Sequence, residues 1–299
     1  MYLLEMPYTT KKSICSFDLI SINLNNFLTD KEIINQIKEE IKVHQTSHIA
    51  GFWWDENEQN FNYWFTKIRQ TWHTELSDFQ ETHAYIKHLF GNDEIDLTFQ
   101  NGLMGFLLWL SRENRKNQDA VVEDFIENAI KFLLSKKMKI NANWQQFSFF
   151  PEAFDEDTWT SNNSLSWKVG DLHFVKLLYR QAKGYRSSNY HEIAENIGLH
   201  STTRTSTAQT QIKDSSLANG SMGLVVLYKT LYHETGEEEY LKSSNYWLER
   251  TKIFLESELQ NGYYMGRENH ILDGLTGISI VWQELQKEGL SPLLTYLAG

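Results

Sequence analysis

The chain has 299 residues and a formal net charge of −11. Surfaces that bind nucleic acids or anionic membranes need clustered Lys and Arg, so this charge argues against both kinds of partner. Cys15 is the only cysteine, which leaves no intrachain disulfide and no thiolate-rich metal site and is typical of a cytoplasmic protein. No stretch approaches the roughly 18 uninterrupted apolar residues of a membrane span, so we predict no membrane insertion.

The beginning of the chain alternates loosely between apolar and polar residues over 17–24, which predicts either an edge strand or an extended arm. After this stretch the pattern becomes helical. Thr29 or Asp30 is the predicted N-cap of a helix, because the apolar residues that follow share one helical face: Ile33, Ile34 and Ile37.

Few helix breakers and many aromatic residues mark the whole composition, with 3 Pro against 10 Trp, 14 Tyr and 17 Phe. This composition favours long helices around a bulky core. Two further helices are predicted over 58–75 and 79–90. The tandem tryptophans within 51–55 indicate a packed loop instead of a helix interior.

Two pairs of helical segments share one arrangement, in which an apolar segment precedes an amphipathic one. Gly102–Ser111 and Gly220–Leu231 are almost wholly apolar, whereas Val121–Leu134 and Tyr240–Glu256 carry acids on one face. The first kind is predicted to be buried all round and the second to be half exposed. Repeated inner and outer helices close most naturally into an all-α (α/α) toroid, and an open solenoid is the alternative.

A small polar residue followed by a Gly-x-x-Gly turn opens each apolar helix. The copies are Asn101-Gly-Leu-Met-Gly105, Asn219-Gly-Ser-Met-Gly223 and Asp273-Gly-Leu-Thr-Gly277, with a partial copy at Ser166-Trp-Lys-Val-Gly-Asp171. Spacings of roughly 50 residues fit one helical hairpin per repeat. Equivalent turn residues should then reach one common place in the fold: Asn101, Lys168, Asn219 and Asp273.

Two long insertions interrupt the repeats, at Asn141–Asn163 and Ser187–Ser216. The first combines aromatic residues, among them Trp144 and Trp159, with a cluster of acids: Glu152, Asp155, Glu156 and Asp157. Long loops in a compact domain are either functional or mobile. We expect the first insertion to overhang the predicted cavity, where its tryptophans could anchor an extended peptide.

In the order of these motifs, residues 95–285 resemble the lanthionine synthetase C-like proteins, whose best-known members are lanthipeptide cyclases. Members carry a Ser-Trp-Cys-Tyr-Gly-Asp motif, then a Cys-His-Gly motif, then a last Gly-Leu-x-Gly copy. The corresponding segments here are Ser166–Asp171, Ala218–Gly223 and Asp273–Gly277. The resemblance implies an (α/α) toroid, which the shorter length of this chain would reduce relative to seven hairpins.

The chain departs from that family at the residues that carry its chemistry. In the cyclases two cysteines and a histidine hold Zn²⁺, and the resemblance places Lys168, Ala218 and Asn219 at those positions. A further catalytic histidine corresponds to Asn101, and an arginine to Ser164. An ammonium, a methyl and an amide are not zinc donors, so we predict no zinc and no other cofactor at this site.

Lys168 is the most informative of these replacements, because an unpaired buried ammonium is costly. It either points to solvent or pairs with an acid, and the motif favours Asp171, Asp273 or the amide oxygens of Asn101 and Asn219. A lysine at the former metal position would replace the positive charge of the metal. Alternatively, the Asn and Asp residues of the turns are only helix N-caps.

The histidines give weaker signals. His44 and His48 are spaced to share one helical face, and His83 and His88 are also close in sequence, but neither pair is followed by the acid of a zinc-protease motif. His173 lies three residues after a turn glycine and either faces the cavity or is a core histidine.

Three functions remain open at this point. The first is a zinc-free member that binds a precursor or modified peptide, as a partner of other maturation enzymes, through Asn101, Asn219, His173, Trp144, Trp159 and Trp167. The second is a metal-independent cyclase that adds cysteine thiols to dehydroamino acids with Lys168, Asp171 and Asp273 as catalytic residues. The third is a carbohydrate-active (α/α) enzyme with paired carboxylates on the rim.

The domain organisation predicted from these patterns has two parts. Residues 1–90 form a divergent helical segment packed on the ring, and residues 91–299 form the toroid, within one structural domain overall. The expected location is the cytoplasm.

Overall fold

The structure, a computed structural model, describes residues 29–43, 58–73, 79–90, 94–155, 158–160, 163–183 and 189–299. These ranges contain twelve α-helices and one small sheet. The helices are α1 Asp30–Val43, α2 Glu58–Thr71, α3 Phe79–Phe90, α4 Leu103–Asn117, α5 Ala120–Ser135, α6 Leu172–Ala182, α7 Tyr190–Thr202, α8 Thr207–Thr210, α9 Ser221–Thr235, α10 Glu238–Gln260, α11 Leu275–Leu285 and α12 Pro292–Leu297. No helix within these ranges has the length and apolar character needed to cross a membrane.

Helix α1 begins as its sequence predicts. The backbone N–H of Glu32 donates to Thr29 Oγ1 at 3.3 Å, and the Thr29 N–H donates back to Glu32 Oε2 at 2.7 Å, which is a capping box. Ile33 and Ile37 are buried. The helices expected over 58–75 and 79–90 are confirmed as α2 and α3, whereas the stretches 17–24 and 51–55 and the pair His44 and His48 lie outside the described residues.

The division between inner and outer helices is also confirmed. Helix α4 is buried along its apolar part from Leu103 to Ser111, and α9 is buried from Ser221 to Tyr228. Their partners α5 and α10 bury one face only. Helix α9 ends at Thr235, and the capping residue Gly236 has a φ of 77°, in the left-handed region that glycine adopts without strain.

The prediction of a long loop over Ser187–Ser216 was wrong, because helix α7 occupies Tyr190–Thr202 and forms the outer partner of α6. Its buried face is made largely of small residues, which produce little hydrophobic periodicity in the sequence. Ala194, Gly198 and Ser201 lie on that face. A Cβ on Gly198 would overlap the Tyr240 hydroxyl at 1.9 Å, so the small residue is what allows α10 to approach.

A three-stranded antiparallel sheet adds the only described strands to this helical fold. Its strands are β1 Ile95–Asp96, β2 Ala153–Asp155 and β3 Thr158–Thr160, in the order β1-β2-β3. Phe154 pairs with Ile95 on one side and with Trp159 on the other. The first insertion, Asn141–Asn163, therefore contains ordered structure and brings a hairpin back to the strand that precedes the first turn.

The four turns are joined edge to edge by backbone hydrogen bonds. The Phe99 N–H donates to the Lys168 carbonyl at 3.0 Å, the Lys168 N–H donates to the Ala218 carbonyl at 3.0 Å, and the Ala218 N–H donates to the Leu272 carbonyl at 2.9 Å. Each bond links one copy of the turn to the next. The inner helices α4, α6, α9 and α11 therefore begin side by side around one centre.

The first described helix contacts the last turn, so α1 packs against the last of the four repeats. The Glu40 carboxylate on α1 accepts from the backbone N–H groups of Ile271 at 2.7 Å and Leu272 at 2.8 Å. Gln36, one turn earlier, donates to the Asn269 carbonyl at 2.7 Å. One cluster of buried side chains extends from Ile33 to Ala298. The fold is an all-α helical barrel with this small sheet at one end.

Candidate functional site

Two of the turns share a local construction that begins six residues before the leading glycine. In Asp96-Leu-Thr-Phe-Gln-Asn-Gly102, the Asp96 carboxylate accepts from the Thr98 N–H at 2.6 Å. In Asp214-Ser-Ser-Leu-Ala-Asn-Gly220, the Asp214 carboxylate accepts from the Ser216 N–H at 2.9 Å. A Cβ on Gly220 would lie 2.3 Å from both Asp214 Oδ1 and Ser216 N, so only glycine fits there.

The residues that precede the glycines do not cap the helices. The N-cap positions of α4, α9 and α11 are the glycines themselves, and none of the three has a side-chain cap hydrogen bond. The interpretation of Asn101, Asn219 and Asp273 as N-caps was therefore wrong. Their side chains are left to make other contacts.

The turns bring together five residues that we call the turn face: Asn101, Lys168, Ala218, Asn219 and Asp273. The backbone bond described above makes Lys168 and Ala218 neighbours. Asn219 is exposed, and its Nδ2 donates to Asp273 Oδ1 at 3.4 Å. Asn101 is half-buried, and its Oδ1 has no hydrogen-bond partner in the described part of the chain. The turn face thus offers an ammonium, two amides and a carboxylate.

The acids around Lys168 are not the ones that the motif favoured. The pKa of Asp96 is raised by burial, and the positive charge of Lys168 opposes this shift. Burial likewise raises the pKa of Glu152, and the negative charge of Asp96 adds to that shift while Lys168 opposes it. Lys168 is half-buried and makes no salt bridge with any described residue. The predicted pairing with Asp171 or Asp273 was wrong.

Asp171 has a structural environment. Its side chain and that of Arg204 are each 1% exposed, and Arg204 Nη1 lies 3.4 Å from Asp171 Oδ2. The same carboxylate accepts from the backbone N–H groups of Phe149 at 3.0 Å and Phe150 at 3.2 Å. Burial raises the pKa of Asp171, which Arg204 and these two donors oppose. We therefore remove Asp171 from the candidate catalytic residues.

Trp167 and His173 lie beneath the turn face instead of lining it. The Trp167 indole is fully buried and donates to the Leu297 carbonyl. His173 Nε2 contacts the Trp167 carbonyl at 2.5 Å, and its ring stacks on Phe99 with centroids 3.6 Å apart. Burial lowers the pKa of His173 to about 3, so the ring is uncharged at pH values near 7. Neither residue is available to an outside ligand.

The two tryptophans of the first insertion are displayed on the surface. Trp144 is 84% exposed, at the end of a short 3-10 helix, and Trp159 is 64% exposed on β3. Asn163 contacts the segment next to Trp144, because it accepts from the Phe147 N–H at 2.8 Å and donates to the Gln145 carbonyl. Their availability to a ligand fits the prediction, and their role in binding stays a prediction.

The acidic cluster of this insertion is divided in the structure. Asp155 forms a salt bridge of 2.8 Å with Lys87, whereas Glu152 is influenced by the charges of Asp96 and Lys168. Glu156 and Asp157 lie outside the described residues. Sequence reasoning missed Asp96, although the spacing that it shares with Asp214 before a turn glycine was the available signal. In the ranges that the structure describes, no three His, Cys, Asp or Glu side chains form a group that could hold a metal ion.

Comparisons with known proteins agree on the kind of fold. The family model described as "Lanthionine synthetase C-like protein" matches residues 19–292. Among solved structures, "Nisin cyclase" superposes with a TM-score of 0.57 at 11% sequence identity, covering 95% of this chain and 89% of that one. No curated protein sequence matches this one. At that identity, the structural likeness establishes the fold alone.

Proposed function

Because the chain belongs to the lanthionine synthetase C-like family, we propose that it binds a precursor or modified peptide at the turn face without the help of zinc. In this role it would serve as a partner of other enzymes that mature ribosomal peptides. The proposal is supported by what the turn face offers a ligand and by the donors that it lacks.

The donor set does not fit zinc. By resemblance to the family, the three zinc ligands would be Lys168, Ala218 and Asn219. A backbone bond makes Lys168 and Ala218 neighbours, and Asn219 follows Ala218 in the chain. Zinc takes thiolate, imidazole or carboxylate donors, and none of the three residues supplies one. The Asn219 amide N–H already faces Asp273. We therefore derive no step that involves a metal.

The same residues suit a peptide. The observation that carries the proposal is the half-buried Lys168, which lies near Asp96 and Glu152 but forms no salt bridge with a described residue. Its ammonium can donate to a peptide carbonyl or carboxylate. Glu152, which is also half-buried, can accept from a basic side chain. Such pairings satisfy buried polar atoms that otherwise carry a desolvation cost.

The test is a comparison of binding with chemistry in the full-length protein. A dehydrated, cysteine-containing precursor peptide is titrated into the protein after treatment with a chelator, and binding is measured by calorimetry. We expect binding that Lys168→Met weakens roughly tenfold, as expected for loss of one central polar contact, while no thioether forms. Absence of binding to the precursor, both before and after dehydration, would contradict the proposal.

A second function, a metal-independent cyclase, is favoured by the position of the same lysine. Lys168 is the only cation of the turn face, and a positioned ammonium could donate a proton during thiol addition. In that case, chelator-treated protein would convert the dehydrated peptide into a thioether. Lys168→Met or Asp273→Asn would then abolish product while peptide affinity stays close to that of the unsubstituted protein.

A further inference from the structure

The three-stranded sheet has one edge that no described residue covers. Strand β2 lies between β1 and β3, so β3 is an edge strand. The Leu97 N–H donates to the Glu152 carbonyl at 2.8 Å. This bond establishes which residues of β2 hydrogen-bond to β1 and which point the other way. In an antiparallel sheet the backbone groups of successive residues point alternately to opposite sides. Phe154 therefore bonds to β1, while its neighbours in β2 bond to β3.

This alternation determines where the backbone of Trp159 points. Trp159 is opposite Phe154 in the register, so its N–H and C=O point away from β2, toward the edge that no described residue covers. No described residue bonds to them. Unpaired groups of this kind are a template for another strand.

The two faces of the sheet differ in character near that edge. Ile95, Phe154 and Trp159 share the apolar face, and the first two are buried while Trp159 is 64% exposed because it is the outermost. The opposite face carries polar residues. There Thr160 Oγ1 lies 3.5 Å from Glu94 Oε1, an exposed acid close to Asp96 and Glu152.

We propose that an extended peptide segment adds as a fourth strand to β3, pairing its backbone with Trp159. Such strand addition derives affinity from main-chain hydrogen bonds and specificity from alternate side chains. The segment that fits has an apolar residue beside Trp159, flanked by basic residues on the face of Thr160 and Glu94. This inference rests on the proposed function, since the added strand would be a part of the peptide whose neighbouring part reaches the turn face.

Continuity with the turn face supports a peptide as the occupant. Strand β1 leads directly into the turn that contains Asn101, and the charge of Lys168 acts on Asp96 at the end of that strand. Two strands, β3 and β2, therefore separate the added strand from β1, which leads into the site. The acids Glu94 and Glu152 complement basic residues in the added segment.

The experiment uses the full-length protein and a capped peptide, Thr-Lys-Val-Lys-Thr, as a probe. Amide exchange at residue 159 is followed by NMR with and without the peptide. We expect the peptide to slow exchange of the Trp159 N–H, and N-methylation of its valine to weaken binding roughly tenfold by removing a main-chain donor. Tyr63→Ala, which removes an aromatic side chain that is 56% exposed on helix α2, is the matched control and should leave probe binding unchanged.

Two results would overturn the inference. One is a perturbed Trp159 indole with unchanged amide exchange, which would indicate a side-chain contact alone. The other is probe affinity that does not respond to N-methylation. If the dehydrated precursor still binds in a Lys168-dependent manner, the proposed function stands without the added strand. Protection of the Trp159 N–H by the probe, together with no binding of the precursor, would instead support the added strand and contradict the proposed function.

Discussion

The charges below the turn face and those on it differ in how they are satisfied. Below it, Asp171 and Arg204 are each 1% exposed, form an ion pair, and are held by backbone groups of three segments. On it, Lys168 is half-buried and has nearby acids but no salt bridge with a described residue. Two charged residues only three positions apart thus differ: Asp171 is held in a buried ion pair, whereas Lys168 makes no salt bridge with a described residue and is the one that we propose contacts a ligand.

The largest effect on stability is expected from removing the buried cation of Arg204. Arg204 also donates to the carbonyls of Asn163 at 2.6 Å and Gln209 at 2.7 Å, so Arg204→Met would strand Asp171 and two carbonyl groups. We expect the free energy of unfolding to fall by about 3–5 kcal/mol, measured by denaturant titration.

Arg204→Lys is the matched control for that experiment. It keeps the positive charge but loses the fork of donors, so its loss of stability should be intermediate. A change below about 1 kcal/mol in the Met variant would contradict the structural role of the pair.

A substitution in the turns themselves should also destabilise the protein. A Cβ on Gly220 would overlap backbone and carboxylate atoms that cannot move independently. We expect Gly220→Ala to cost about 3 kcal/mol in thermal or chemical unfolding. Gly289→Ala is a useful control, because its added Cβ would meet nothing within 4 Å and only its φ of 80° would oppose the change. Equal losses in both variants would show that the close approach at Gly220 is unimportant.

The buried histidine should give the protein an acid-dependent stability. The folded-state pKa of His173 is lowered to about 3 from 6.5, so the unfolded chain binds the extra proton first as the pH falls. The contribution of His173 to stability is therefore fully present above pH 6.5. It is lost as the pH falls toward the folded-state pKa of about 3. At about pH 5 the loss should reach about 2 kcal/mol.

Measurement of unfolding as a function of pH tests this, with His173→Gln as the comparison. The variant removes the titrating ring, so its stability should depend less on pH in that window even if its absolute stability is lower. Parallel pH profiles of the two proteins would contradict the assignment.

The smallest effect on stability, and the sharpest contrast with Arg204, is expected at Lys168. Since it has no salt bridge with a described residue, Lys168→Met should change the free energy of unfolding by less than about 0.5 kcal/mol while peptide binding weakens. Asn219→Ala, which removes a donor to Asp273 on the same face, is a matched control for the free energy of unfolding. A loss of several kcal/mol for Lys168→Met would place this residue among the structural charges instead.

Several features of this protein could be obtained from the sequence because they depend on neighbouring residues. The capping box at Thr29, the buried inner helices and the glycine turns are local patterns, and the turns predicted that Lys168, Asn219 and Asp273 lie near one another. Helix α7 escaped detection, since a buried face of Ala194, Gly198 and Ser201 gives weak hydrophobic periodicity.

Only the tertiary structure decided how the charges are paired. Arg204 reaches Asp171 across 33 residues, and Glu40 binds the turn at Ile271 across 231, separations at which no spacing rule applies. The same is true of Lys168, whose neighbouring acids Asp96 and Glu152 come from the strand before the first turn and from the inserted hairpin. Helical periodicity and capping act over a few residues, whereas the partner of a buried charge is whichever group the packed helices bring close to it.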